Sequence, residues 1–519
     1  MPLARAPFRV RRLLVRALRR PRRGPRRLSV LLAGLVLIAA WQKGFFDRAA
    51  SLDDRYVHRE STGMNAEWRF VYFLYYTGLI PVVATDAHAR LKAEPGYDKF
   101  ERGAAERVIA ERGETLSMDA AQTIRAGDMG RVLLYLPYAL WRGDTRDPRL
   151  APTDAVAFAL ALGALYAAFW WVRDPVLGAA TTALLGSNPY QLFEVHFREN
   201  VFGWAITAGV LTLALSLPLL QRHSIRRPWA LPLVIGVVLG TIRQIRPEPG
   251  AIVVSAGLAC LLVSRASWPR RMALAAVLVA SFLGTSAAWQ AYFDYKFDQA
   301  TRVVSAAGGR VYHGPRDRYH AFWHPLWCGL GDFGAKHGYE WRDKAAAHYA
   351  APIVLERYRA LGRGEPNWSY LFWDPVYYDV LADKVRYDIT HDPLWYIGVL
   401  ARRVARVFTW TTPVRLAAGS WWLGLPWNGL LTVPLLLLLV ATRSWPLLKL
   451  ASFPLGTSLP AVLVFSGTVP GQTYTGWFHI LAAAIVLAGL VDVARELGRR
   501  RGYFRAARRS ASNKSTIRP

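Results

Sequence analysis

The chain has 519 residues, 53% of them hydrophobic and 13% aromatic, and its 65 Lys+Arg against 36 Asp+Glu give a formal charge of +29. Apolar stretches long enough to cross a hydrocarbon core, at roughly 20 residues each, recur about ten times and exclude a string of soluble domains. With two Cys and no period in Gly or Pro, disulfide-scaffold and collagen-like classes are excluded as well, leaving an all-α polytopic membrane protein.

In chain order, residues 1–27 carry eleven Arg and no acid, a basic tail ahead of the first span, 28–46. No small-residue cleavage site follows, so the span reads as an uncleaved anchor. The segment 47–150 holds 15 basic and 16 acidic residues and reads as a first outer loop. Within it, 68–83 and 130–141 are short, apolar and rich in Trp and Tyr, which suits helices lying in the membrane interface. If both crossed instead, the total would rise from ten spans to twelve with every later side unchanged.

Spans follow near 151–172, 176–193, 200–220, 229–245, 250–264 and 272–292, completing a transmembrane core over 28–292. A long outer segment, 293–425, ends in an amphipathic stretch at 394–410 expected on the membrane surface. Three last spans near 427–442, 446–466 and 476–494 fill 426–495. A second basic tail, 496–519, closes the chain. The two tails supply +18 of the charge, and the short loops with Arg222, Arg226, Arg227, Arg265, Arg270, Arg271, Arg443 and Lys449 supply +8 more.

Lys and Arg concentrate in short cytoplasmic loops and near helix ends. The pattern therefore predicts both termini and the basic loops inside, with the two long, nearly neutral segments outside. Ten crossings return the C-terminus to the side its basic tail requires. Charge so placed is a topology signal that also attracts anionic lipid, not the basic, aromatic-interleaved face of a nucleic-acid binder.

Four polar clusters fall on the predicted outer face, where ionisable groups at membrane depth are candidates for function. Asp53 and Asp54 lie just beyond span one; paired carboxylates hold a divalent cation or supply a general base. Glu194, His196, Arg198 and Glu199 crowd one short turn. Arg243 and Arg246, three apart beside Pro247 and Glu248, form a candidate phosphate clamp, since guanidinium grips phosphate oxygens bidentately. Tyr474 and His479 enter the last span. In the long outer segment His320 and His324 are four apart, but without an HExxH pattern and with Pro325 next to them they predict no metal site. Asn367-Trp-Ser369 fits the N-glycosylation pattern, which is a weak signal on its own. No phosphate-cradling, dinucleotide or nucleophile-elbow motif occurs, so no nucleotide cofactor is expected.

The arrangement resembles the GT-C superfamily of membrane glycosyltransferases. The Asp53–Asp54 pair matches the acidic motif of the first outer loop, although these families more often carry Asp-Glu. HFRENVFGW (196–204) is similar to their Arg-Glu motif, IRPEPGAIV (245–253) to their Arg-Pro-Glu element, and YTGWFHILAAAIVLAG (474–489) to their final span. The resemblance implies sugar transfer from a polyprenyl-phosphate carrier to an extracytoplasmic glycan, lipid or protein acceptor, in an inner membrane of the bacterial type. Asp53 or Asp54 would be the base, Arg243 and Arg246 would meet the phosphate, Arg198 and Glu199 would orient sugar or acceptor, and His479 would add a contact. Metal dependence varies within the superfamily, so a divalent ion at Asp53–Asp54 stays open. A flippase for lipid-linked glycans, an O-antigen-type polymerase or ligase, and a non-catalytic assembly factor are the alternatives.

Overall fold

The structure is a computed structural model. It describes residues 26–80, 95–96, 101–112, 129–145, 153–172, 175–192, 195–196, 202–220, 228–245, 249–262, 266–306, 322–334, 336–366, 368, 371, 374–409, 411–418, 421–428, 458–464, 466, 480 and 483.

The first helix, α1 (Arg26–Thr77), runs unbroken for 52 residues. The stretch contains no Pro, the residue that most strongly breaks a helix. It ends where Gly78 takes a left-handed φ of +69° and its N–H returns to the Leu74 carbonyl at 3.0 Å, the usual helix-ending role of glycine. At 1.5 Å per residue α1 is about 78 Å long, far more than the ~30 Å of a bilayer core. Only its first part, Leu28–Ala49, is apolar enough to cross. Asp53 and Asp54 are therefore helical rather than part of a loop, and 68–77 continues the same helix instead of forming a separate interfacial one.

Next come α2 (Arg102–Arg112) and α3 (Met129–Arg142), both packed on α1. The bundle proper consists of α4 (Thr153–Val172), α5 (Pro175–Gly186), the single turn α6 (Pro189–Leu192), α7 (Phe202–Leu220), α8 (Ala230–Ile242), α9 (Pro249–Leu261) and α10 (Trp268–Ala306). Phe158, Leu165, Ile206, Leu239, Ile252 and Leu278 belong to its one continuous apolar core.

Among the described residues, four segments are long and apolar enough to cross a membrane: Leu28–Ala49, Thr153–Trp171, Gly203–Leu220 and Trp268–Val303. The expected spans at 229–245 and 250–264 appear as the 13-residue helices α8 and α9. The span expected at 176–193 is divided between α5 and α6, because Pro189 opens a new turn whose Gln191 N–H is capped by Asn188 Oδ1 at 3.2 Å. Of the three C-terminal spans, the described residues include one short helix, given below, and single positions.

Close approach in the bundle comes from small residues, as between membrane helices generally. A Cβ on Gly236 would stand 1.9 Å from Ser281 Oγ, and one on Gly240 would stand 2.7 Å from the Phe282 carbonyl oxygen, so α8 lies directly on the backbone of α10. On α1, Gly34 faces the Tyr166 ring of α4, whose hydroxyl reaches the Val30 carbonyl at 3.4 Å. Gly163 of α4 meets Leu35. These pairings run α1 and α4 antiparallel.

A second core is built from α11 (Trp323–Leu330), a 3₁₀ turn at Lys336–Gly338, α12 (Asp343–Ala360), α13 (Pro375–His391) and α14 (Pro393–Thr409). Trp327, Tyr339, Tyr377 and Tyr378 are fully buried in it. Tyr339 stacks on Trp395 with centroids 5.6 Å apart, and its hydroxyl donates to Asp388 at 2.7 Å. After α14 come a hairpin and the short helix α15 (Leu459–Leu463). In the hairpin β1 (Thr411–Ala418) pairs antiparallel with β2 (Trp421–Asn428), in register from Thr411 against Asn428 to Ala418 against Trp421. The sequence reading had no strand here, although Gly419-Ser420 between two apolar runs is a hairpin composition. Trp41 of α1 donates its indole N–H to the Ala417 carbonyl at 2.5 Å, tying the hairpin to the bundle.

Helix α14 has two apolar faces. Trp395, Val399, Arg403 and Val407, four apart, form its buried face. Arg403 is on that face rather than the solvent side. Its Nε donates to Asp332 Oδ2 at 3.1 Å, its Nη1 donates to the Val462 and Leu463 carbonyls, and both side chains of the ion pair are sealed from solvent. The opposite face exposes Leu394, Ile397 and Val404, the arrangement of a helix lying against an apolar surface.

Candidate functional site

The α1–α4 interface opens into a groove of about 580 Å³, within the ~300–1,000 Å³ span of small-molecule sites. Leu35 and Ala39 line it from α1, and Ala159, Gly163 and Ala167 line it from α4. Small residues on α4 make the room: Ala155, Ala159, Gly163, Ala164 and Ala167 are among its lining. The lining is apolar except for Gln42 and Lys43, which lie beside Phe46 toward one end. Lys43 is exposed and pairs with Asp47 at 2.5 Å, one turn along.

Gln42 is buried and bridges three elements. Its Nε2 donates to the Gly186 carbonyl at the end of α5 at 3.1 Å, and its Oε1 lies 3.0 Å from His196 Nε2. A Cβ on Gly186 would stand 2.8 Å from the Trp41 ring and 2.9 Å from Gln42 Nε2, so glycine is what allows this bridge. His196 is fully buried, with Phe45 and Phe158 rings 6.2 and 6.3 Å away, and its Nδ1 has no hydrogen-bond partner among the described residues. One turn from Phe158 on α4, the buried Asp154 carboxylate accepts from Trp204 Nε1 of α7 at 2.8 Å and from the Tyr135 hydroxyl of α3 at 3.3 Å. Its place in the first turn of α4 favours a negative charge.

Of the residues singled out in the sequence, the structure joins His196 to α1 through Gln42. Asp53 and Asp54 stand eleven and twelve residues beyond Gln42 on the same helix, about 17–18 Å further along it. Arg243 is exposed at the end of α8, its guanidinium 5.5 Å from the Phe282 ring centroid of α10. Glu194, Arg198, Glu199, Arg246, Glu248, His320, Tyr474 and His479 lie outside the described residues. Sequence reasoning missed Gln42, Lys43, Asp154 and Trp204. The available signal was an acid at the start of an apolar run and a Gln-Lys pair at the end of another.

Among the described residues, one group of three metal-donor side chains comes together, His324, Cys328 and Asp343, outside the bundle. Burial pushes the Cys328 thiol up to about 12. Cys328 and Asp343 both approach the same imidazole nitrogen, so the three are not arranged as a nucleophile–base–orienter relay, which needs the acid on the opposite ring nitrogen.

No family model matches the sequence, and no curated protein or solved structure is significantly similar to it.

Proposed function

We propose that the chain is a membrane glycosyltransferase of the GT-C kind, moving a sugar from a polyprenyl-phosphate carrier to an extracytoplasmic acceptor. The observation that carries this reading is the α1–α4 groove: lined mainly by apolar side chains, open at the side of the bundle, and bordered by Gln42 and Lys43 on the last turns of α1's apolar segment, which ends at Ala49 before the helix continues to Asp53–Asp54. A lipid with one anionic head fits such a groove chain-first, with its phosphate beside Lys43.

In this reading an acceptor hydroxyl attacks the anomeric carbon, the bond from that carbon to the phosphate oxygen breaks, and Asp53 or Asp54 takes the hydroxyl proton. Negative charge grows on the departing phosphate. Fixed cations favour that charge more in the transition state than in the bound donor, a role for Lys43 and Arg243. The buried Gln42–His196 link and Asp154 hold the groove's polar end in shape without touching the reacting atoms.

The test uses purified protein in lipid with a panel of radiolabelled polyprenyl-phosphate sugars and a membrane-glycan extract as acceptor. Transfer by the wild type, lost in Asp53→Asn or Asp54→Asn and reduced in Arg243→Ala with folding intact, is the expected result. Absence of transfer from every donor, with lipid-linked glycan crossing vesicles instead, refutes the enzyme and favours a flippase.

A further inference from the structure

In the second core, His324 and Cys328 sit four apart on one face of α11, and Asp343 opens α12. Pro325 does not prevent this arrangement: it follows His324 in the first turn of α11, where a missing N–H costs nothing. His324 and Cys328 are buried, while the Asp343 carboxylate is 78% exposed and opens the cluster to solvent. His324 Nε2 lies 3.0 Å from Asp343 Oδ1 and 3.7 Å from Cys328 Sγ, and the sulfur and carboxylate oxygen are 3.9 Å apart.

A tetrahedral zinc ion with Zn–N and Zn–O near 2.0–2.1 Å and Zn–S near 2.3 Å separates its ligand atoms by about 3.3–3.6 Å. The three atoms here already form nearly that triangle. The other ring nitrogen, His324 Nδ1, is 2.6 Å from the Tyr377 hydroxyl. With Nδ1–H donating to Tyr377, the Nε2 lone pair faces Cys328 and Asp343, and a partner of this kind is what orients a metal-binding imidazole. Cys260, the other cysteine, is buried in α9 of the bundle, so Cys328 has no disulfide partner in the chain.

We propose that His324 Nε2, Cys328 Sγ and Asp343 Oδ1 bind one zinc-type divalent cation, with the fourth position left to water. Binding releases the thiol proton to solvent, and thiolate plus carboxylate balance the dication. The ion joins α11 to the start of α12 across the turn at Gly331, where a Cβ would stand 2.7 Å from the Glu340 backbone. The site is independent of the sugar-transfer reading.

The test is Co²⁺ titration of the metal-free full-length protein in detergent, followed in the ultraviolet and visible. Expected are one Co²⁺ per chain, tetrahedral visible bands, and a thiolate-to-cobalt band that survives Cys260→Ser and is lost in Cys328→Ser. Zn²⁺ displaces the cobalt and raises the unfolding temperature, and Tyr377→Phe weakens zinc binding by roughly 10–100-fold. Folded wild type that takes up no Co²⁺, or takes it up without a thiolate band, overturns the proposal. A band that persists in Cys328→Ser overturns it equally.

Discussion

The helical bundle and the second core solve the same problem, holding helices together, by opposite means. In the bundle, Gly236 and Gly240 bring the backbones of α8 and α10 together while Gly34 and Gly163 admit a neighbour's side chain, and the polar bonds are scattered ones such as Gln42 to Gly186 and His196, Asp154 to Trp204 and Tyr135, and Trp289 to Thr241. In the second core, charge and aromatic rings interlock, with Asp332 joining Arg403, Arg406 and Ser466, and Asp388 joining Tyr339 and Lys384. Packing by small residues leaves a groove where two helices do not quite meet. Packing by networks gathers polar side chains into clusters. The two proposed ligands, a lipid in the groove and a metal ion at His324, Cys328 and Asp343, follow that division.

The largest effect that breaks this contrast is expected at Asp332. Asp332→Ala strands the buried Arg403 charge and costs about 3–5 kcal/mol, read as the thermal unfolding of the purified protein. Adding Arg403→Met should recover part of that loss, because the two side chains form one network and their effects do not add.

In the bundle, Gly240→Leu forces α8 away from α10 and costs about 1–3 kcal/mol by overpacking. No ion pair is involved, so the loss should be insensitive to salt. Gln42→Leu leaves the imidazole of His196 without its partner and the Gly186 carbonyl without its donor, a loss of about 1–3 kcal/mol that should widen the groove end and lower sugar transfer.

The smallest effect is at the rim of the second core. The Lys336 ammonium, with His337 beside it, holds the Asp392 carboxyl at about 2, below its ordinary 3.8. The folded state thus binds this proton less readily than the unfolded chain. The contribution is complete above the ordinary value and disappears as pH falls through about 2. Lys336→Ala should flatten that part of the stability profile between pH 5 and 2, and an unchanged profile would remove the pair from the account.

Part of the bundle was readable because apolar runs are linear signals. Span one, α4, α7 and α10 stood out as such. The continuation of α1 past Ala49 was not readable, because its polar half has a loop's composition and only the absence of Pro hinted at helix. The burial of Arg403 was not readable for a similar reason: its partner Asp332 is 71 residues away in sequence. In the sequence, His324 pairs with His320 and the two predict no metal site; the proposed ligands Cys328, one turn on, and Asp343, from another helix, come together with His324 only in the fold. The groove was not visible at all, since the Ala and Gly of α4 are ordinary in any membrane helix until α1 is laid against them.

The central claim is that a lipid carrier docks chain-first between α1 and α4. Its most direct test is photolabelling: a polyprenyl phosphate with a photoreactive group in its chain is activated in nanodiscs containing the protein, and the labelled peptides are mapped by mass spectrometry. The account predicts labels on residues 35–46 and 155–167, competed by unlabelled polyprenyl phosphate and reduced by Ala159→Trp. Labels spread evenly over the exposed apolar residues of α10, with no competition, would contradict it.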